Sequence, residues 1–216
     1  MTADVAALVE RAQHQIADEA VENRFLTLLE RGAVPAERLS WLAGELYRLV
    51  GSDQRSFALL AARFPAEGLF IAMAGGEAEA LRLLDDFAAA VGMADYRAYE
   101  PKPLAQAYPA YLTQTALFGQ VSAIPLALLA NVTDSGATYA RVADALCAKY
   151  GLSEAAVGHF RYFADTPKEL LDQAAEIVAA GLAAGDDPAE SVRVARVVGG
   201  LESAFWNALA DGLDES

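Results

Sequence analysis

Helix stops and starts recur along this chain at intervals of one helix length, and no stretch between them alternates apolar and polar residues as a half-buried strand would. That rhythm restricts the fold more than any single motif. Gly32 to Pro35 ends a first helical region, and Pro35, followed by Glu37, suits the first turn of the next. Pro65 closes that second helix. Gly75-Gly76 precedes EAEALRLLDDFAAAVG, which reads as a helix stopping at Gly92. Asp95 to Pro103 reads as a loop. Two long helical stretches follow, over about 104–118 and 121–150. Gly151-Leu152-Ser153-Glu154 is a stop followed by an N-cap. Thr166-Pro167-Lys168-Glu169 reads as a capping box, with Thr166 as the cap and Pro167 at the first helical position. Gly185 to Pro188 starts a last helix that runs to about Ala210. The intervening segments are rich in Ala, Leu, Glu and Arg, which favours helix. About eight helices with short connections predict an all-α bundle, one domain over residues 1–216.

Composition limits the partners. With 55% apolar residues the chain can bury a sizeable core. Sixteen Lys and Arg stand against 30 Asp and Glu, a net charge of −14, which repels phosphate backbones and anionic lipid heads. Neither nucleic acid nor a membrane surface is expected as a partner. The longest apolar run, Val121 to Val132, is broken by Ser122, Pro125 and Asn131, well short of the ~20 residues a membrane helix needs. The polar start MTADVAALVERAQ does not read as a secretory signal, and Cys147 is the only cysteine. A cytoplasmic protein without disulfides is the expectation.

Polar residues on apolar helix stripes are the features that ask for a function. In the second helix Leu39, Leu42, Leu46, Leu49, Phe57 and Leu60 recur at helical spacing, with Asp53 in the middle of the stripe and Glu45 on its flank. A partnership of Asp53 with a neighbouring Arg, and a solvent-facing Glu45, would explain them without any site. In the 121–150 stretch, Asn131, Ser135, Thr138 and Tyr139 share a face with Ile124, Leu128, Val142 and Leu146. They either satisfy one another or line a cavity. Glu202 sits at the edge of the last helix's stripe, Val194, Val198, Leu201, Phe205 and Leu209, where burial would raise its pKa into the range of an acid or base working near neutral pH. His159, Phe160, Tyr162, Phe163 and Asp165 form an aromatic and ionisable cluster, which is either core or a sandwich for a flat ligand.

Four segments, in order, carry a family resemblance. NRFLTLLERGAVPAERLSWLAGELYRL, from Asn23 to Leu49, resembles a His-Pro-Phe start leading through a Gly turn to a Gln-Asp-Tyr helix. ALLAN, at Ala127–Asn131, is similar to Ala-Leu-Leu-Pro-Cys. HFRYFAD, at His159–Asp165, and LESAFWNALA, at Leu201–Ala210, resemble a Tyr/Phe-rich helix and a closing Glu-x-x-Phe-Trp motif that includes Trp206. Together they resemble the TenA family, which implies a haem-oxygenase-like multi-helical fold. The family includes thiaminase II enzymes, in which a cysteine attacks a pyrimidine carbon, an aspartate holds the ring's amidine edge and a glutamate moves protons.

Carried over position by position, the resemblance puts the aspartate at Glu45, the glutamate at Glu202 and the cysteine at Asn131. The tyrosine one turn after the aspartate becomes Arg48. An amide is no substitute for a thiolate, so the covalent route is not expected here. Di-iron relatives of the fold need several histidines, and haem ligation also draws on imidazole, for which this chain offers only His14 and His159, so no metal and no cofactor are expected. The expectation is a divergent TenA-like protein that binds a small flat heterocycle, pyrimidine or thiamin-related, in a central pocket. It would be a hydrolase or isomerase without the covalent cysteine, with Glu202 and Glu45 as the catalytic pair. Asp53, Asn131, Ser135, Tyr139, His159, Tyr162, Phe163 and Trp206 would contact the ligand. The alternatives are a non-catalytic regulatory or partner protein that kept the fold, and a cofactor-independent oxygenase. The resemblance also implies a homodimer or homotetramer.

Overall fold

A computed structural model describes residues 1–65, 68–93 and 95–213. Among them the chain forms nine α-helices, one 3-10 turn and no strand. The helices are α1 (Ala3–Asp18), α2 (Arg24–Glu30), α3 (Ala36–Arg63), α4 (Gly68–Ala90), α5 (Ala107–Phe118), α6 (Ala123–Tyr150), α7 (Gly158–Ala164), α8 (Lys168–Ala183) and α9 (Pro188–Leu209); the 3-10 turn is Tyr96–Ala98. None is long and apolar enough to cross a membrane.

The all-α expectation holds, and the differences lie at helix ends. The first helical region is two helices, because Asn23 caps α2 by accepting from the Leu26 N–H at 3.0 Å. Asn207 of α9 pins that break, donating to the Glu22 carbonyl at 3.0 Å and accepting from the Arg24 N–H at 2.9 Å. Gly75 and Gly76 do not precede a helix; they lie inside α4, which starts at Gly68. Two interior glycines cost ~1 kcal/mol each, and α4 offsets this by packing along α3, the most extensive helix pairing among the described residues. Pro35 and Pro167 are caps rather than first helical residues, so Thr166 is not the cap of α8. At α9 the reading and the structure agree: Asp187 is the N-cap, accepting from the Ala189 N–H at 2.9 Å, and Pro188 is the first residue.

Burial divides into two large apolar clusters. One gathers Phe25, Leu42, Leu46, Phe87, Phe160, Phe205 and Trp206. The other gathers Phe57, Phe70, Leu112, Ile124, Leu126, Val178 and Val198. The long helices α3, α6 and α9 contribute to both, one half of each helix to each cluster. Side-chain bonds lock α5 onto α3: Ser52 and Ser56 bond the Thr113 hydroxyl at 3.2 and 3.0 Å. Arg63 caps the last turn of α5 through the carbonyls of Ala116 (2.5 Å) and Gly119 (2.8 Å).

Candidate functional site: a carboxyl-lined cavity

A cavity of about 170 Å³ opens where the two clusters meet. Its walls come from α3 (Leu49, Asp53, Phe57), α4 (Met73, Glu77), α5 (Tyr108, Leu112), α6 (Ile124 to Tyr139), α7 (Phe163) and α9 (Val198, Glu202, Phe205, Trp206), with Thr166 beside them. Aromatic rings form one side: Tyr139 meets Trp206 edge-on at 5.6 Å between centroids and Phe163 at 5.1 Å.

Three acids on three helices face this space. Asp53 is only 4% exposed, and its Oδ1 is buried without a hydrogen-bond partner. Burial, reinforced by the nearby Glu77 charge, pushes its carboxyl well above the usual range, while a hydrogen bond from Tyr108 acts the other way. Glu77 has a buried Oε2 without a partner, and burial pushes it up to about 8. Glu202 accepts from the Ser135 hydroxyl at 2.7 Å and from Trp206, yet burial still raises its pKa. Tyr108 and Tyr139 are raised well above their ordinary value, first by burial and then by the surrounding acids. Among the described residues, no Lys, Arg, His or Cys lines the wall. Among the described residues, no group of three or more acidic, His or Cys side chains is arranged to hold a metal.

Of the residues singled out from sequence, the cavity brings together Asp53, Asn131, Ser135, Tyr139, Phe163, Glu202 and Trp206. Asn131 has its amide nitrogen engaged by the carbonyls of Ala127 (2.9 Å) and Ala195 (3.3 Å). Three others stand apart. Glu45 is fully buried but faces the 96–107 segment, where it accepts from the Tyr99 hydroxyl (2.8 Å), the Lys102 N–H (2.5 Å) and the Gln106 amide (2.7 Å). The neighbouring Gly44 lets the Tyr99 ring lie on the helix: a Cβ there would sit 2.4 Å from it. The carboxylate that α3 sends to the cavity is therefore Asp53, two turns on.

His159 is fully buried with Nδ1–H donating to the Ala80 carbonyl at 2.9 Å; its Nε2 has no partner, and burial lowers its pKa to about 4. It lies behind the wall, beside Phe163, at 5.1 Å. Tyr162 is 40% exposed and is not one of the wall residues, although it lies near Glu77. Cys147 bonds Glu154, outside the cavity.

Glu77 and Tyr108 were not legible. Glu77 directly follows the Gly75-Gly76 pair, so a helix starting there would leave it as a solvated first-turn acid. The signal that would have found it is its place on α4 seven residues after Phe70 and seven before Leu84, both core residues.

No family profile matches the chain, and no curated protein does either. Solved structures do. A domain of unknown function with a haem-oxygenase-like fold from Shewanella denitrificans superimposes with a TM-score of 0.71 at 15% identity, covering 98% of this chain and 92% of that one. A TenA homologue from P. horikoshii gives 0.65 at 18% identity, covering 95% and 97%. A protein described as a TenA family transcription regulator, from Silicibacter sp. TM1040, gives 0.59 at 15% identity, covering 95% and 94%. The chain thus has the haem-oxygenase-like all-α fold that TenA proteins share. At these identities the likeness establishes fold alone.

Proposed function

We propose that the chain binds a single flat nitrogen heterocycle, of the aminopyrimidine kind, in the cavity between α3, α4, α5, α6 and α9. The observation that carries this reading is the wall itself: three carboxyl groups from three helices, aromatic rings beside them and no cationic side chain. Such a wall offers acceptors to a ligand rich in N–H donors. Its size also selects. An engineered cavity of ~150 Å³ accommodates benzene, so 170 Å³ suits one ring with small substituents rather than the two rings of intact thiamin.

If the ligand is turned over, the chemistry is acid–base. A carboxyl that keeps its proton near neutral pH can donate to a leaving nitrogen, and an ionised neighbour can accept a proton from attacking water. Glu202 suits the first role, since Ser135 and Trp206 fix its orientation. Asp53 would hold the ring's donors. Asn131 stands where the resemblance calls for a nucleophile, and its engaged amide favours a second reading in which the ring is held without being converted.

A thermal-shift titration with 4-amino-2-methylpyrimidine, followed by NMR of the small molecule, tests both. At a hundred times its Kd the probe should stabilise the fold by ~2.7 kcal/mol, about 5–10 °C for a domain this size. Asp53→Asn and Glu202→Gln should each lose most of that shift. No shift with the wild type overturns the binding reading; a shift without any new NMR species selects the non-catalytic one.

A further inference from the structure

The pairing of Asp53 with Glu77 goes beyond ring binding. These residues sit on α3 and α4, and each presents a buried carboxyl oxygen without a partner to the same cavity. Two such atoms in one wall are costly, and nothing in the packing explains why both are kept. Among the described residues, the other ionisable groups facing them supply no positive charge. α5 offers Tyr108, α6 offers Tyr139 and α9 offers Glu202; α7 brings Tyr162 near Glu77. Among the described residues, the wall holds no arginine, lysine or histidine that would neutralise the pair.

Two carboxyl groups within each other's field in a low-dielectric space resist ionising together and so retain protons at pH values where exposed acids have lost them. A ligand that is already positively charged changes that balance. We propose that Asp53 and Glu77 form a cation-selecting pair, which takes up a singly charged, ring-sized ligand with at least two N–H donors and releases one proton to solvent as it does so. The exchange balances: a carboxylic acid and an incoming cation yield a carboxylate–cation pair and a free proton. The two N–H groups meet the Asp53 Oδ1 and Glu77 Oε2 atoms that lack partners. A neutral weak base would instead accept the proton within the site and release none. The elevated pKa values of both acids agree with protons being held until the cation arrives.

The inference rests on the cavity being a ring site, and its test separates the two ideas. The probe is 4-aminopyridine, a strong enough base to remain a cation from pH 6 to 8, with aniline as its neutral counterpart of equal size. Calorimetry on the wild-type protein in buffers of different ionisation enthalpy should count about one proton released per 4-aminopyridine bound at pH 7 and none for aniline. Affinity for 4-aminopyridine should rise towards tenfold per pH unit between pH 6 and 8. Glu77→Gln should bind it at least tenfold more weakly at pH 8 and lose most of that slope, with Asp53→Asn as an independent second variant. No released proton, or a slope that survives in both variants, overturns the proposal. Aniline binding as tightly as the cation would overturn it and leave the ring site standing; failure of both probes and of the pyrimidine would remove the ring site itself.

Discussion

Raising the pH from 6.5 to 8 is expected to destabilise the protein in the absence of ligand, against the usual behaviour of carboxylates held in ion pairs. Glu77 has a folded pKa of about 8 against 4.5 in the unfolded chain. Between those values the fold holds a proton that the unfolded chain has lost, so stability falls as pH rises. Asp53 and Glu202, also raised by burial, act in the same direction. His159 opposes them at lower pH: its pKa falls from 6.5 to about 4, so the unfolded chain binds the extra proton there, and stability rises with pH across that interval. The histidine's opposing contribution fades over about one pH unit above 6.5, and the acids dominate from there to pH 8. From 6.5 to 8, each acid that keeps its proton in the fold removes about 2 kcal/mol, at ~1.4 kcal/mol per pH unit. The surface acids Glu30 and Glu154, lowered by Arg141 and Arg161, titrate below this window and do not mask it. Urea unfolding at pH 6.5 and 8 should show the fall, and Glu77→Gln should reduce it by about 2 kcal/mol. Equal stability at the two pH values would show that Glu77 is not held protonated in the fold.

Glu45→Ala should produce the largest stability loss of any single acid substitution. Removing the carboxylate strands three donors, the Tyr99 hydroxyl, the Lys102 N–H and the Gln106 amide. Hydrogen bonds to a charged acceptor are worth ~1.5–3 kcal/mol, and donors left without a partner add to the loss. Because Tyr99 and Gln106 are only half-buried, water can replace part of it. A net loss of about 3 kcal/mol, or roughly 6–12 °C in Tm, is expected. Hydrogen exchange should quicken at Lys102 and Gln106 before it does in α6 or α9. Glu45→Gln retains one acceptor oxygen and should lose less. A Glu45→Ala protein as stable as the wild type would mean that the 96–107 segment is held by something else.

These two residues also show what the sequence could and could not reveal. The helix order was legible because caps, glycines and prolines act locally and leave their mark within a few residues. Asp53, Asn131, Ser135, Tyr139 and Glu202 could be singled out because polar groups on an apolar stripe break a local pattern. The direction of Glu45 was not local. It depends on a loop without periodicity that folds back more than fifty positions later and covers it. His159 shows the same limit: its cluster is visible, but that its ring turns to the Ala80 carbonyl is a tertiary fact. Glu77 was hidden by a pair of glycines that read as the boundary before a helix and here are carried within one by packing against α3.

A crystal structure of the protein with 4-amino-2-methylpyrimidine tests the account most directly. The expected result is one ring beside Tyr139 and Trp206, with its amino group within about 3 Å of a carboxyl oxygen of Asp53, Glu77 or Glu202. A ring bound elsewhere on the molecule, with the three acids hydrogen-bonded only to water, would contradict it.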